Sequence, residues 1–414
     1  MLLLYLAVCA AVTIAIIGPA LSNLQAFKTR TVAKGPQRVI VVLVEFPDKK
    51  HSVSTETIRQ IIFSGLNDFY QEASYGLMSV NGDITSKWYQ TQTPLSKLDL
   101  QEWTYSENDM KLFEKEAIES ADREVSYRQY DFVILVAAGE VWPHAACHLA
   151  VLANDGTLRG IVVNEDSPVG TYAHELGHVL PSNYEPRQGC GLPDLYSYEA
   201  SEKGRDPNIF VGPWDIMGAS NPPRRFSAWS LMELGWITPE IINVGASVAL
   251  PIALQPIEGE SGARVLVLPL SETISYVVEV RRQIGSDKNL PSEGVLVYLV
   301  DLSKENGYGP VRVVDSHPET STLDDAPYIQ GAFLANPPND MHLAVAYADG
   351  VGYLMFSGGS NSASATNGNA RTASGNFLSA REEYTTSDAC VGIQLDRRPK
   401  MVQAHVLILS CQAK

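Results

Sequence analysis

The sequence is short of positive charge. Its 31 lysine and arginine residues stand against 47 aspartate and glutamate residues, and the net charge is −16 at pH 7. No cluster of lysine and arginine offsets this excess, so we expect no nucleic acid among the partners of the chain. An acidic surplus of this size is typical of a soluble extracellular surface.

Cysteine is also scarce. Of the five cysteines, Cys9 lies in an apolar N-terminal segment, which leaves Cys147, Cys190, Cys390 and Cys411. In an exported protein, four cysteines predict two disulfides, and proximity in the sequence favours Cys147–Cys190 and Cys390–Cys411. Free buried thiols are the alternative.

Long apolar runs are missing outside the N-terminus. Residues 2–17 are apolar or small apart from Thr13, and "GPALSNLQA" follows them, which predicts a signal peptide over residues 1–24. The basic residues that usually precede such a run are absent, so an uncleaved membrane anchor is the alternative. No later segment approaches the ~20 apolar residues that span a bilayer. We therefore expect a secreted, extracellular protein, or one anchored at the cell surface.

The N-terminal half alternates between strand and helix patterns. Valine-rich apolar runs predict strands buried on both faces at 38–48 and 130–139, and a short strand at 160–164. Helical spacing predicts a helix over 56–76 that breaks near Gly65, and another within 106–125. The apolar face of this second helix is predicted from Met110, Leu112, Phe113 and Ile118.

The pattern changes after Trp236. Short β-type runs separated by glycine, proline, asparagine and aspartate predict an all-β, sandwich-like module. These runs are "VLVLPL", "ISYVVEV", "GVLVYLVDL", "HLAVAYA", "GYLMF" and "AHVLILS". The polar, low-complexity run at 357–376 predicts a surface loop.

One motif carries chemistry, and the chain has neither a phosphate-binding glycine loop nor a G-x-S-x-G nucleophile elbow. His174, Glu175 and His178 form H-E-x-x-H, preceded by Ser167 as a candidate N-cap and Pro168 as the first helical residue. Residues four apart share a helix face, so both imidazoles can bind one zinc ion. Glu175 would then accept a proton from the attacking water.

The residues around this motif resemble the immune inhibitor A-like family of secreted zinc metallopeptidases. The family pattern is HExGHxxGxPD followed by Tyr, then W-D-x-M, then F-S-A-W-x-x-x-x-L-G-W. The resemblance covers roughly residues 38–301 in the expected order. Its pieces are "VVLVEFPD", "FYQEASYGLMSVNG" (69–82), "HELGHVL", "GLPDLY" (191–196), "GPWDIMG" (212–218), "FSAWSLMELGWI" (226–237) and "YVVEVRRQIGSDKNLPSEGVLVYLVD" (276–301).

The resemblance implies a role for each matching position. His174 and His178 would be zinc ligands, Glu175 the general base, and Asp194 the third, carboxylate ligand. Met217 would lie in a turn beneath the zinc, where an apolar, adaptable thioether packs well. Trp214, Trp229 and Trp236 are more simply interpreted as core residues.

The chain departs from the family between His178 and Asp194, where it carries ten additional residues. Deleting 181–190 restores the family pattern, so the insertion is self-contained. Pro181 disfavours a helix beyond Leu180. A loop of this length raises the entropic free-energy cost of loop closure by only about 1–2 kcal/mol, because that cost grows logarithmically with loop length. Cys190 within it could instead be a zinc-binding thiolate.

Other third ligands are possible. A thermolysin-like pattern would place a glutamate farther along the chain, where Glu199 and Glu202 lie, and Glu185 lies inside the insertion. Asp194 is favoured because it stands inside "GLPDLY". Tyr196 or Tyr198 could support an oxyanion. The segment 301–309 has oxygen-bearing side chains but not the spacing of a calcium loop, so it is predicted to be a plain loop.

These observations predict an α+β fold. A mixed-sheet zinc metallopeptidase domain at 25–238, with an H-E-x-x-H active-site helix, would be followed by a β-rich, sandwich-like domain at 239–414. The expected function is a monomeric zinc endopeptidase that hydrolyses extracellular proteins or peptides. The alternatives are a catalytically silent cell-surface or binding protein with the peptidase fold, and a hydrolase of non-peptide substrates.

Overall fold

A computed structural model describes most of the chain. The described residues are 33–100, 106–141, 144–149, 158–184, 191–241, 252–336, 341–348, 351–357, 390–398 and 401–409. The expected signal segment, Glu185, Cys190, Cys411 and all but the first residue of the 357–376 run lie outside them. Both disulfides therefore stay predictions.

The first sheet is mixed and has six strands. Its strands are β1 (Gly35–Glu45), β2 (Met78–Ile84), β3 (Tyr89–Gln90), β4 (Phe132–Ala137), β5 (His144–Leu149) and β6 (Leu158–Asn164). The order is β2-β1-β4-β6-β5, and β3 pairs with the end of β1. All pairs are parallel except β5 with β6, which is antiparallel.

Strand β1 is buried on both faces, as its continuous apolar run predicts. Because alternate side chains of a strand point to opposite faces, its residues divide between two cores. One core takes Val39, Val41 and Leu43, and the other takes Ile40, Val42 and Val44.

Six α-helices accompany the strands within the described residues. They are α1 (Thr55–Gln60), α2 (Asn67–Ala73), α3 (Glu107–Ala121), α4 (Val169–Gly177), α5 (Tyr198–Glu202) and α6 (Ala228–Glu233). The predicted break at Gly65 is wrong, because a π-helical turn, Ile61–Leu66, joins α1 to α2 without interruption. Gly65 faces Val169 at the start of α4, where an added Cβ would lie 3.3 Å from the valine Cγ2.

Helix α3 begins after Ser106, whose hydroxyl accepts a hydrogen bond from the Asp109 N–H. Met110, Phe113 and Ile118 are buried as predicted. Leu112 is 38% exposed, so its assignment to the buried face is wrong. Residue 112 lies two positions after 110, which places it roughly 200° around a helix of 3.6 residues per turn.

The rest of the described chain is β-rich. Its strands are β7 (Glu240–Ile241), β8 (Ile252–Leu254), β9 (Val265–Pro269), β10 (Ile274–Arg281), β11 (Gly294–Asp301), β12 (Val311–Val313), β13 (Gln330–Asn336), β14 (Met341–Ala348), β15 (Val351–Ser357), β16 (Cys390–Arg398) and β17 (Met401–Leu409). They form a five-stranded sheet in the order β12-β11-β10-β9-β7, a four-stranded sheet β13-β14-β15-β8, and the pair β16-β17.

The five-stranded sheet is covered on both faces. Leu266, Val278 and Val297 pack with Val345 and Leu354 of the four-stranded sheet, as in a sandwich. The alternate residues of the same strands, which include Val267, Val277 and Tyr298, belong to the core that contains α4 and α6. The chain is thus mixed α/β with parallel and mixed sheets, compatible with the predicted α+β class. One core contains buried side chains from both sides of the predicted boundary at 238.

None of the helices in the described part of the chain combines the length and apolar character that crossing a bilayer requires.

Candidate metal centre

Helix α4 brings the H-E-x-x-H residues into the interior. It begins at Val169 with Pro168 in the cap position, one residue later than predicted. The prediction of Ser167 as N-cap is wrong, because its hydroxyl accepts a hydrogen bond from the Asn164 N–H (3.1 Å) in the turn after β6. His174, Glu175 and His178 are each at most 9% exposed.

The two histidines present their Nε2 atoms to each other at 3.1 Å. On the far side of each ring, Nδ1 lies against a backbone carbonyl: 2.9 Å from Ile216 O for His174, and 2.7 Å from Leu192 O for His178. A carbonyl only accepts hydrogen bonds, so both Nδ1 atoms carry the proton. The Nε2 lone pairs are therefore left to face inward, the tautomer that metal-binding histidines use.

Asp194 completes the cluster. Its Oδ1 lies 3.3 Å from His174 Nε2 and 3.1 Å from His178 Nε2. Among the described residues these three form the one group of His, Cys, Asp and Glu side chains able to hold a metal ion, with ligand atoms within 4.8 Å of one another. Asp194 Oδ1 is buried and accepts no hydrogen bond from any described residue. Three converging electron-pair donors repel one another unless a cation lies between them, so this donor set fits a metal.

The chain returns from the insertion directly onto the end of α4. The Gly191 N–H donates to Leu180 O and the Leu192 N–H to Gly177 O, both at 2.9 Å. Gly191 has a φ of +56°, and a Cβ there would lie only 1.8 Å from His178 O. Glycine is therefore required at 191, because only glycine combines this conformation with so close an approach. The return segment caps the helix and delivers Asp194 to the histidines.

The entrance of the insertion is also fixed. Helix α4 ends at Gly177 and is followed by turn residues up to Leu180. No helix continues through Pro181, as its sequence position predicts. The Asn183 N–H donates to Glu233 O at 2.7 Å, and the buried Tyr184 ring packs edge-on against Trp229 at 5.7 Å. The additional loop thus leaves and re-enters the fold at anchored positions.

The rival third ligands lie elsewhere or outside the described residues. Glu199 is exposed and pairs with Lys203, and Glu202 is exposed as well. Neither belongs to the buried cluster. Glu185 is outside the described residues.

Asp194 is held by two residues, Tyr198 and Asn306, and the second of these is not marked by any motif in the sequence. The Tyr198 hydroxyl donates to Asp194 Oδ2, so this tyrosine is engaged with the carboxylate. Asn306 contacts both the backbone and the side chain of Asp194. Asn306 lies in the 301–309 segment predicted to be a plain loop, and only the Asn-Gly pair at 306–307 marks it locally as a turn. No local pattern reveals where that turn docks.

The electrostatics of the cluster favour positive charge. Burial opposes protonation of His174, but the Asp194 carboxylate, which would accept a hydrogen bond from the protonated ring, and the charges of Glu175 and Asp194 outweigh it and raise the pKa of His174 to about 9. Burial would likewise raise the pKa of Asp194, but the adjoining imidazoles of His178 and His174 favour its charged form and hold that pKa well below its usual range.

Met217 lies beneath α4, and the three tryptophans are buried as predicted. A Cβ at Gly177 would meet the Met217 sulfur at 2.8 Å, so the lack of a side chain at Gly177 leaves room for Met217. Asp215 fixes the turn by accepting hydrogen bonds from the Met217 N–H (2.8 Å) and the Ser227 N–H (2.9 Å).

A buried ion network holds this turn against the five-stranded sheet. Arg281 is fully buried and pairs with Glu279 (3.0 Å) and Asp287 (2.7 Å). It also donates to Trp214 O at 2.8 Å, and Glu279 accepts from the Ala228 N–H at 2.6 Å. The "GPWDIMG" and "FSAW" segments are thus bonded to strand β10.

No family model matches the chain, and no curated protein sequence is significantly similar to it. The functional interpretation therefore depends on the motifs and on the geometry of this cluster.

Proposed function

We propose that the chain is a zinc-dependent metalloendopeptidase and a divergent relative of the immune inhibitor A-like peptidases. His174, His178 and Asp194 would hold the ion, and Glu175 would act as the general base. The observation that supports this most directly is the convergence, in a buried cluster, of two Nε2 lone pairs with Asp194 Oδ1, which accepts no hydrogen bond from the described part of the chain.

The donor set favours zinc among the common biological metals. Calcium and magnesium take oxygen ligands, usually six or more, whereas two imidazoles and one carboxylate form a typical three-residue zinc site with an open position. When bound, zinc supplies a Lewis acid that polarises a carbonyl and acidifies a water molecule.

The residues of the chain would perform the remaining steps. Glu175 is buried beside His174 and close enough for its charge to raise the pKa of that histidine. From this position it takes the proton of the attacking water and later transfers it to the leaving amine. The Ile216 and Leu192 carbonyls keep both imidazoles in the ligand tautomer throughout.

An extended peptide suits the surroundings of α4. Strand β5 ends the first sheet, contacts α4, and pairs only with β6 among the described residues. The outer backbone groups of an end strand can pair with an added peptide strand, which is a common mode of peptide recognition. The acidic charge and the N-terminal apolar segment support secretion, with surface anchoring as the alternative. We expect a monomer that binds no nucleic acid.

The test compares the full chain with Glu175→Gln for bound zinc and for casein hydrolysis. We expect both forms to bind zinc, and hydrolysis by the variant to fall by about 10²–10⁴-fold, the usual contribution of a general base. Glu202→Gln is the matched control, because it makes the same change at an exposed position. Zinc binding without hydrolysis in the unsubstituted chain would refute the peptidase and favour a silent binding protein. Equal hydrolysis by both forms would refute the role of Glu175.

A further inference from the structure

Asn306 approaches Asp194 from the β-rich part of the chain. Its Oδ1 accepts a hydrogen bond from the Asp194 N–H at 2.5 Å, and its Nδ2 donates to Asp194 Oδ2 at 3.2 Å. The same Nδ2 group donates to the Tyr198 hydroxyl at 2.7 Å. One amide thus contacts three atoms of the segment that carries the carboxylate.

These contacts define how the amide is oriented. A backbone N–H needs an acceptor, whereas a carboxylate oxygen needs donors, and only one of the two amide orientations offers both. The Tyr198 hydroxyl accepts a hydrogen bond from Asn306 Nδ2 and donates one to Asp194 Oδ2. Every polar group in this cycle is satisfied without use of Asp194 Oδ1.

The two carboxylate oxygens of Asp194 therefore have different partners. Oδ2 takes hydrogen bonds from Tyr198 and Asn306, while Oδ1 points at the two histidine Nε2 atoms. A carboxylate held in this way offers one oxygen to a metal and cannot rotate without losing two hydrogen bonds.

The loop that carries Asn306 is itself well anchored. It joins β11 to β12, and the Tyr198 N–H donates to Gly307 O at 3.1 Å. Gly307 has a φ of +74°, and a Cβ there would lie 2.2 Å from the Tyr198 ring, so the loop backbone packs directly on that ring. The Tyr308 ring packs against Tyr198 edge-on at 6.2 Å.

We propose that Asn306 is a positioning residue for the metal site, which makes the β-rich region a necessary part of that site. Asn306 acts through Asp194 and touches neither the ion nor the substrate. This inference depends on the proposed metal binding, but not on the reaction that the metal serves.

The experiment measures zinc dissociation constants by competition with a chelator, together with the melting temperature of each protein with and without zinc. The variants, made in the full chain, are Asn306→Ala, Tyr198→Phe and the double variant. Glu305→Gln is the control, because it alters an exposed neighbour in the same loop. Casein hydrolysis is followed separately.

We expect Asn306→Ala to weaken zinc binding by roughly 10- to 100-fold, the effect typical of residues that orient a metal ligand. The rise in melting temperature that zinc produces should shrink in this variant, whatever happens to the metal-free protein. The fold-loss of zinc affinity in the double variant should be smaller than the product of the fold-losses in the two single variants, because both side chains bind the same oxygen, Asp194 Oδ2. Glu305→Gln should bind zinc like the wild type.

Three results separate the outcomes. If Asn306→Ala binds zinc as tightly as Glu305→Gln does, the positioning role is wrong, even where hydrolysis proceeds. If the wild type binds zinc but does not hydrolyse casein, the peptidase proposal fails, while weaker zinc binding by Asn306→Ala still supports the positioning role. A wild type that binds no zinc overturns both proposals.

Discussion

Met217 packs against Gly177 on the underside of helix α4, where a Cβ at 177 would approach the methionine sulfur to 2.8 Å. The residue before Met217 supplies the carbonyl that holds His174 Nδ1, and Met217 O itself accepts from the Leu195 N–H at 2.9 Å. One turn therefore supports a histidine from the helix and the segment that carries Asp194. Because residues three apart lie close together on a helix surface, this contact links the packing at Gly177 to the position of His174.

The first prediction concerns Gly177→Ala. Alanine improves helix propensity by about 1 kcal/mol. It also forces a methyl group onto a buried sulfur, and such overpacking costs about 1–3 kcal/mol. We expect a net loss of about 1 kcal/mol in the free energy of unfolding, measured in urea.

The matched test adds Met217→Ala to this variant. Removing the thioether makes room for the methyl group, so the double variant should be more stable than the sum of the single effects predicts, with a coupling of about 0.5–3 kcal/mol. Strict additivity would mean that Gly177 and Met217 do not constrain each other.

The second prediction separates the candidate third ligands. Asp194→Ala should weaken zinc binding strongly, because it removes the one carboxylate among the described residues that faces both histidines. Glu199→Ala should leave zinc affinity unchanged, because that carboxylate is exposed and pairs with Lys203. Equilibrium competition with a chelator measures both. Equal losses of zinc affinity in Asp194→Ala and Glu199→Ala would contradict the geometry of the cluster.

The third prediction concerns the titration of His174 in the metal-free protein. Its imidazole should titrate near pH 9 by NMR, above the ordinary value of 6.5, although burial acts in the opposite direction, because Asp194 and Glu175 favour the charged form. A raised histidine pKa stabilises the fold fully below pH 6.5, and this contribution is lost as the pH rises through 9.

Asp194→Asn should lower the titration midpoint of His174, because the neutral amide no longer attracts the imidazolium proton. The exposed His317, whose pKa is raised mainly by its hydrogen bond to the Asp325 backbone, should titrate identically in both proteins. An unshifted His174 in Asp194→Asn would show that the carboxylate is not the source of the effect.

The fourth prediction concerns Arg281. Replacing it with methionine leaves the carboxylates of Glu279 and Asp287 buried without their cation, and breaking a buried pair in this way costs about 3–5 kcal/mol. Lys203→Met is the control, because the Lys203–Glu199 pair is exposed and such pairs contribute at most about 1 kcal/mol. Urea unfolding compares the two, and similar losses would refute a structural role for the buried network.

Much of this architecture could be predicted from local patterns. The valine-rich runs became β1 and β4, and the short β-type runs after Trp236 became strands β9, β10, β11, β14, β15 and β17. Such runs can be recognised locally because the pattern of apolar residues shows which strand faces are buried. The predictions that were wrong concern single residues. Leu112 lies off the buried stripe of α3, and the choice between Ser167 and Pro168 as cap depends on a turn that periodicity does not describe.

The cluster was only partly predictable. His174, Glu175 and His178 follow from helical spacing, and the family resemblance pointed to Asp194 across the insertion. Asn306 lies 112 positions from Asp194, so its role depends on how two separate regions dock. A contact between residues so far apart in the sequence cannot be predicted from residue spacing or composition.

The two-sided burial of the five-stranded sheet has a consequence for cooperativity. Strands β9, β10 and β11 pack with one face against the four-stranded sheet and with the other against the core that contains α4. Unfolding of either the four-stranded sheet or the α4 region would therefore expose one face of these strands to water. We therefore expect one denaturation transition, in which near-UV ellipticity and bound zinc are lost at the same urea concentration. The H-E-x-x-H helix and the β-rich region would then form a single unit of folding.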